Sequence, residues 1–229
     1  MRYGVLLAVA LTAACGGQQP EGTQPAAAPR PEAPAAAESP KAPRIVFLGD
    51  SLTAGLGLPA ELSYPSLIGS RLNERGLDFE VVNAGVSGDT SAGGVRRLDW
   101  SLEGDVKVLI VALGGNDGLR GLPTADMQKN LAAILDRAKA RNLVVILAGM
   151  EAPPNNGAEY AEAFRQVYVD LARSYDVRLI PFLLQGVAGE ASLNQADGIH
   201  PNARGAATVA DLVWKELEPV LPRPTTPSQ

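Results

Sequence analysis

The chain has a single histidine, His200, within Asp197-Gly198-Ile199-His200-Pro201. Imidazole is the side chain best suited to carry a proton near neutrality, and a carboxylate three residues away can fold back to hold its tautomer and stabilise the imidazolium. Pro201 disfavours helix at His200 while suiting the first turn of a following helix, so the segment reads as a loop that leads into one. Such a base serves a hydroxyl, which is a weak nucleophile at its free pKa. Ser51, in Gly49-Asp50-Ser51-Leu52, is the candidate. Each residue also has a plainer reading: a serine after a strand caps the next helix, and Asp197 caps the helix after its turn.

Acyl transfer further requires donors aimed at the developing oxyanion. Asn83-Ala84-Gly85-Val86-Ser87-Gly88-Asp89-Thr90 offers the Gly88 N–H, and Gly114-Gly115-Asn116-Asp117-Gly118 offers the Asn116 amide. Either residue can instead merely shape a turn. Three loops of small and polar residues after three successive strands are harder to explain as turns alone. Asp50 is expected to hydrogen bond backbone amides rather than orient the base. Arg96, Arg97 and Trp100 read as an ordinary helix face, with Leu98 and Leu102 divided between core and rim. Met150, Pro153, Phe182 and Leu183 follow strands and suit either a pocket wall or core closure.

These loops need strands to carry them. Ile45–Leu48, Phe79–Val82, Val106–Leu113, Leu143–Leu147 and Val177–Ile180 are short and largely apolar on both faces, the mark of buried parallel strands. Between them Tyr64–Arg75, Asp126–Arg141, Tyr160–Ser174 and Ala203–Glu218 carry helical spacing. The alternation predicts an α/β fold in which a parallel sheet has helices on both faces, with ligands bound beyond the carboxyl ends of the strands.

The blocks Gly49-Asp50-Ser51-Leu52, Ser87-Gly88-Asp89-Thr90, Gly114-Gly115-Asn116-Asp117 and Asp197-Gly198-Ile199-His200-Pro201, in that order, resemble the GDSL, or SGNH, hydrolases. The resemblance spans Arg44 to about Leu217. Asn83–Gly94 and Leu113–Gly121 are similar to the bacterial arylesterase, acyl-CoA thioesterase I and lysophospholipase L1 group. It implies a three-layer α/β/α sandwich with a flavodoxin-like sheet and no cofactor. Ser51 would be the nucleophile, with Asp197 and His200 completing the triad; the Ser51 and Gly88 N–H groups and Asn116 would form the oxyanion hole. The substrate would be a small-molecule or lipid acyl ester or thioester, with deacetylation of acetylated glycans as the alternative. Asn156 stands where relatives often carry an aromatic residue, which would reduce apolar contact in an acyl pocket bordered by that loop.

Composition narrows the remainder. A net charge of −5 gives no electrostatic footprint for nucleic acid, and one cysteine forms no intramolecular disulfide. Residues 1–14 read as a signal peptide, with Arg2 ahead of an apolar run too short to span a bilayer. Leu11-Thr12-Ala13-Ala14-Cys15-Gly16 resembles a lipobox, with Thr12 in place of the usual Leu, so Cys15 is a lipidation candidate. Residues 15–43, rich in Pro and Ala, read as a tether, 44–221 as the hydrolase domain and 222–229 as a disordered tail. The expected setting is the periplasm or outer membrane, the expected state a monomer, and the only membrane contact the lipid anchor. A phosphate-cradling module lacks Gly-Lys-Ser/Thr and Gly-x-Gly-x-x-Gly, and Asp50 would repel its anion. One histidine and scattered aspartates make a poor metal cluster. A glycan-binding surface lipoprotein without catalysis remains the rival from outside enzymes.

Overall fold

The computed structural model describes residues 42–222, so the calls on the leader, Cys15, most of the tether and most of the tail lie outside the described residues. The elements run β1 (Arg44–Gly49), α1 (Ser51–Ala54), α2 (Tyr64–Glu74), β2 (Glu80–Gly85), α3 (Ser91–Ser101), β3 (Val106–Ala112), α4 (Gly115–Leu119), α5 (Thr124–Ala140), β4 (Val144–Ala148), α6 (Ala158–Tyr175), β5 (Arg178–Ile180) and α7 (Ala203–Leu217). All strand pairings in the sheet are parallel, in the order β2-β1-β3-β4-β5. This is the flavodoxin-like arrangement, whose strand order reverses beside β1.

The unbroken apolar runs are explained by burial on both faces, since neighbouring side chains of a strand point to opposite sides. Ile45 and Phe47 of β1 and Val108 and Ile110 of β3 pack with Ile68, Leu72, Val209, Val213 and Trp214 of α2 and α7. Val46, Leu48, Leu109 and Val111 pack on the other side with Leu98, Leu131, Ile134, Leu135 and Leu171 of α3, α5 and α6. The three layers follow from that alternation. Leu98 and Leu102 both belong to the core, so the expected division between core and rim is corrected. Trp100 is exposed.

Helix starts carry their own signals. Ser63 accepts from Ser66 N at the head of α2, where Pro65 occupies the first turn. Thr90 caps α3, and the Asn202 side chain accepts from Arg204 N and Gly205 N at the head of α7. Among the described residues no helix is long and apolar enough to cross a membrane.

One contact between layers governs where the first loop sits. α1 lies against the end of β2, and a Cβ placed on Gly85 would overlap Ala54 N and Cα. Only glycine admits that approach. Gly85→Ala must push α1 outward, an overpacking expected to cost about 1–3 kcal/mol. A lower Tm together with reduced turnover is the expected result; unchanged values of both would show that α1 does not rest on β2.

Candidate active site

The loops at the carboxyl edge of the sheet bring Ser51, Asp197 and His200 together. His200 Nε2 lies 2.9 Å from Ser51 Oγ, and His200 Nδ1 lies 2.7 Å from Asp197 Oδ2. Asp197 Oδ1 accepts from Ile199 N at 2.9 Å and from His200 N at 3.0 Å. The turn through Gly198, at φ +69°, thus wraps the peptide around its own carboxylate. The His200 and Ile199 amides, followed by the imidazole, pull the Asp197 carboxyl down to about 2. An ionised carboxylate on one ring nitrogen and a hydroxyl on the other is an arrangement that can take a proton from Ser51.

The capping alternatives dissolve in this geometry. Asp50, not Ser51, caps α1 by accepting from Leu52 N at 3.0 Å, and Ser51 is left as the first residue of the helix. Asn202, not Asp197, caps α7. The His200 loop is fastened on both sides: Gln195 Nε2 donates to Leu56 O at 2.7 Å and Pro201 O at 3.0 Å, and Asn194 Nδ2 donates to Val187 O and Glu190 O.

Gly88 and Asn116 line the same opening as Ser51 and His200. Gly88, at φ +82°, takes a backbone shape that side chains rarely adopt. The N–H of Ser51 has no partner within its helix, and that of Gly88 donates to no group among the described residues. Asn116 Nδ2 donates to Asp89 O at 2.9 Å and, at a longer 3.2 Å, to Asp50 Oδ2. The hydrogen bond from Leu52 N bears out the expected structural role of Asp50; its link to Asn116 was not foreseen. Asp117 is also structural, accepting from Ser91 N at 2.8 Å and Ser91 Oγ at 2.6 Å.

The opening encloses about 480 Å³, within the range of small-molecule sites. Of the two roles open to Met150, Pro153 and Phe182, they take that of the pocket wall. Leu183 takes the other, core closure, and the likewise buried Leu184 lines the opening beside it. Asn156 is not among the lining residues; its side chain donates to Gly118 O at 2.9 Å and ties its loop to α4. The concern raised by its polarity therefore does not reach the pocket. At the rim Leu56 after α1, Leu119 at the end of α4 and Ile199 beside His200 are 47%, 52% and 49% exposed, so apolar side chains edge the entrance.

Sequence reasoning missed Arg97. Its guanidinium turns inward, with Nε 2.6 Å from Asp89 Oδ2, Nη1 2.6 Å from Ala84 O and Nη2 2.7 Å from Gly49 O. The ordinary helix face expected for it is corrected: Arg97 falls between Gly94 and Ser101 on the stripe of α3 that faces the sheet. That spacing was the available signal.

Known proteins resemble this chain in both sequence and fold. The model of the GDSL-like lipase/acylhydrolase family matches residues 47–208. The chain belongs to that family. It is 44% identical to esterase TesA of Pseudomonas aeruginosa over 77% of this chain and 89% of that protein. It is 38% identical to thioesterase 1/protease 1/lysophospholipase L1 of Escherichia coli over 77% and 84% respectively. A crystal structure of TesA superimposes with a TM-score of 0.74 at 43% identity, covering 78% of this chain and 99% of that one. As a GDSL-like acylhydrolase, the protein is a hydrolase of acyl ester bonds.

Burial gives Asp50 an unusual titration. Loss of water around it raises its carboxyl from 3.8 to about 6, against the opposing effects of Leu52 N–H, His200 and Asn116. A folded pKa above the unfolded one favours the fold below about pH 3.8, and that contribution is lost as pH rises through about 6. The swing is on the order of 3 kcal/mol. Asp50→Asn, which cannot ionise, should therefore gain stability relative to wild type between pH 4 and pH 7.5, whatever constant cost its altered hydrogen bonds carry. Urea unfolding of both proteins at both pH values measures this; an equal difference at the two pH values would refute it.

Proposed function

We propose that the protein hydrolyses esters with apolar acyl chains through Ser51, His200 and Asp197. The observation that carries this reading is the continuous path Asp197–His200–Ser51, with contacts of 2.7 and 2.9 Å, opening into an apolar pocket. Ser51 Oγ attacks the acyl carbonyl while His200 Nε2 takes its proton, and Asp197 holds the imidazole by Nδ1 and stabilises the imidazolium. The carbonyl oxygen becomes an oxyanion that accepts from Ser51 N–H, Gly88 N–H and Asn116 Nδ2. Asn116 keeps its shorter bond to Asp89 O and gives up the longer one to Asp50. His200 then protonates the departing alcohol or thiol, leaving acyl-Ser51. Water attacks this ester with His200 as base, which frees the acid and restores the serine.

The names of the relatives support an acyl ester or thioester as substrate. The apolar wall and rim favour a chain longer than acetyl. The signal-peptide and lipobox residues support an extracytoplasmic enzyme held by acylated Cys15 through its tether, a location that disfavours cytosolic acyl-CoA as the natural substrate.

Ser51→Ala and His200→Ala should each remove nearly all turnover of p-nitrophenyl butyrate. The double variant should be little worse, because such residues act as a unit. Multiplying losses would refute the shared step. In a p-nitrophenyl series from acetate upward, kcat/KM should rise with chain length by up to about fourfold per buried methylene. A preference for acetate with no gain on lengthening would favour the deacetylase alternative.

A further inference from the structure

Arg97 and Asp89 form an ion pair at the carboxyl edge of the sheet, with side chains only 15% and 17% exposed. A guanidinium withdrawn from water is retained where its fixed fork of donors is used, and three of the five N–H groups are used here. Their targets are spread over two elements and a loop. Nη2 meets Gly49 O, the last residue of β1, two positions before Ser51. Nη1 meets Ala84 O at the end of β2. Nε meets Asp89, the residue after Gly88, whose carboxylate packs so closely on Gly93 of α3 that a Cβ there would collide with it.

The chain of contacts continues into the site. Asp89 N–H closes a turn on Val86 O, with Gly88 inside that turn, and Val86 N–H donates to Gly49 O at 3.0 Å. Asp89 O is the nearer acceptor of Asn116 Nδ2. One cation is thereby joined to the peptide leading to Ser51, to the turn that holds Gly88, and through Asp89 to Asn116. We propose that the Arg97–Asp89 pair is the positioning element of the oxyanion hole, fixing the relative placement of all three donors while touching no substrate. The proposal rests on the reading of those donors given above. A donor displaced by about 1 Å loses on the order of a hundredfold in rate, so the pair's effect belongs in kcat.

The test uses the full chain and p-nitrophenyl butyrate. Arg97→Ala should lower kcat about a hundredfold, within the range for losing one oxyanion donor, with KM within about twofold. Guanidinium at millimolar, non-denaturing concentration should restore at least tenfold by refilling the gap. Arg97→Lys, a single point charge without the fork, should fall between. A folded Arg97→Ala protein with wild-type kcat, or a loss that guanidinium leaves untouched, overturns the proposal. Should Arg97→Ala not fold, Asp89→Asn serves instead, since Arg97 keeps its two carbonyls; unchanged kcat there also overturns it. A cycle with Asn116→Ala separates this proposal from the reading beneath it. Asn116→Ala with wild-type kcat removes the donor reading and the proposal with it. A large loss from Asn116→Ala that multiplies fully with that of Arg97→Ala leaves the donor standing and overturns only the positioning role. Combined losses well short of the product support it.

Discussion

Where parallel strands end together, their last carbonyls lose the ladder that satisfied them, and this edge is where the chemistry must be built. A buried acceptor without a donor is costly. Here the strand ends are closed by groups belonging to the site itself: Val86 N–H and Arg97 on Gly49 O, and Arg97 again on Ala84 O. The solution to a backbone problem and the construction of the active-site loops are therefore one event. A sheet with the same core and different loops would have to answer the same question with other donors.

Much of the fold can be read from apolar spacing because burial on both faces leaves a run that nothing else produces. β1 and β3 stand out for that reason, and the long helices follow from their single apolar stripes. What could not be read was set by contacts distant in sequence. α4 is built from Gly-Asn-Asp-Gly-Leu, a poor helix former, and is held by links such as Asp117 to the first turn of α3. Leu183 and Leu184 are both buried, yet only Leu184 reaches the opening, a difference set by a turn that no periodicity announces.

The site shows the same division. His200 was conspicuous as the sole histidine beside a usable carboxylate, whereas Ser51 alone read as a cap until Asp50 was seen to cap α1. Arg97 went unread because charge on a helix is expected to face water, and only its place on the inward stripe argues otherwise. Asp50 carries a double assignment, serving the backbone of α1 and the amide of Asn116 at once.

Asp197 and His200 both belong to the segment between β5 and α7, which is fastened by the side-chain amides of Gln195 and Asn194 and by a single antiparallel bridge between Asn194 and Pro201, not by a strand of the sheet. The free energy needed to open such a segment is smaller than that needed to unfold the core. The base and its orienting acid leave together when it opens, while the sheet remains intact. Heating is accordingly expected to cost activity before it melts the domain, and added contacts that tighten this segment should extend the working temperature without any change to the core.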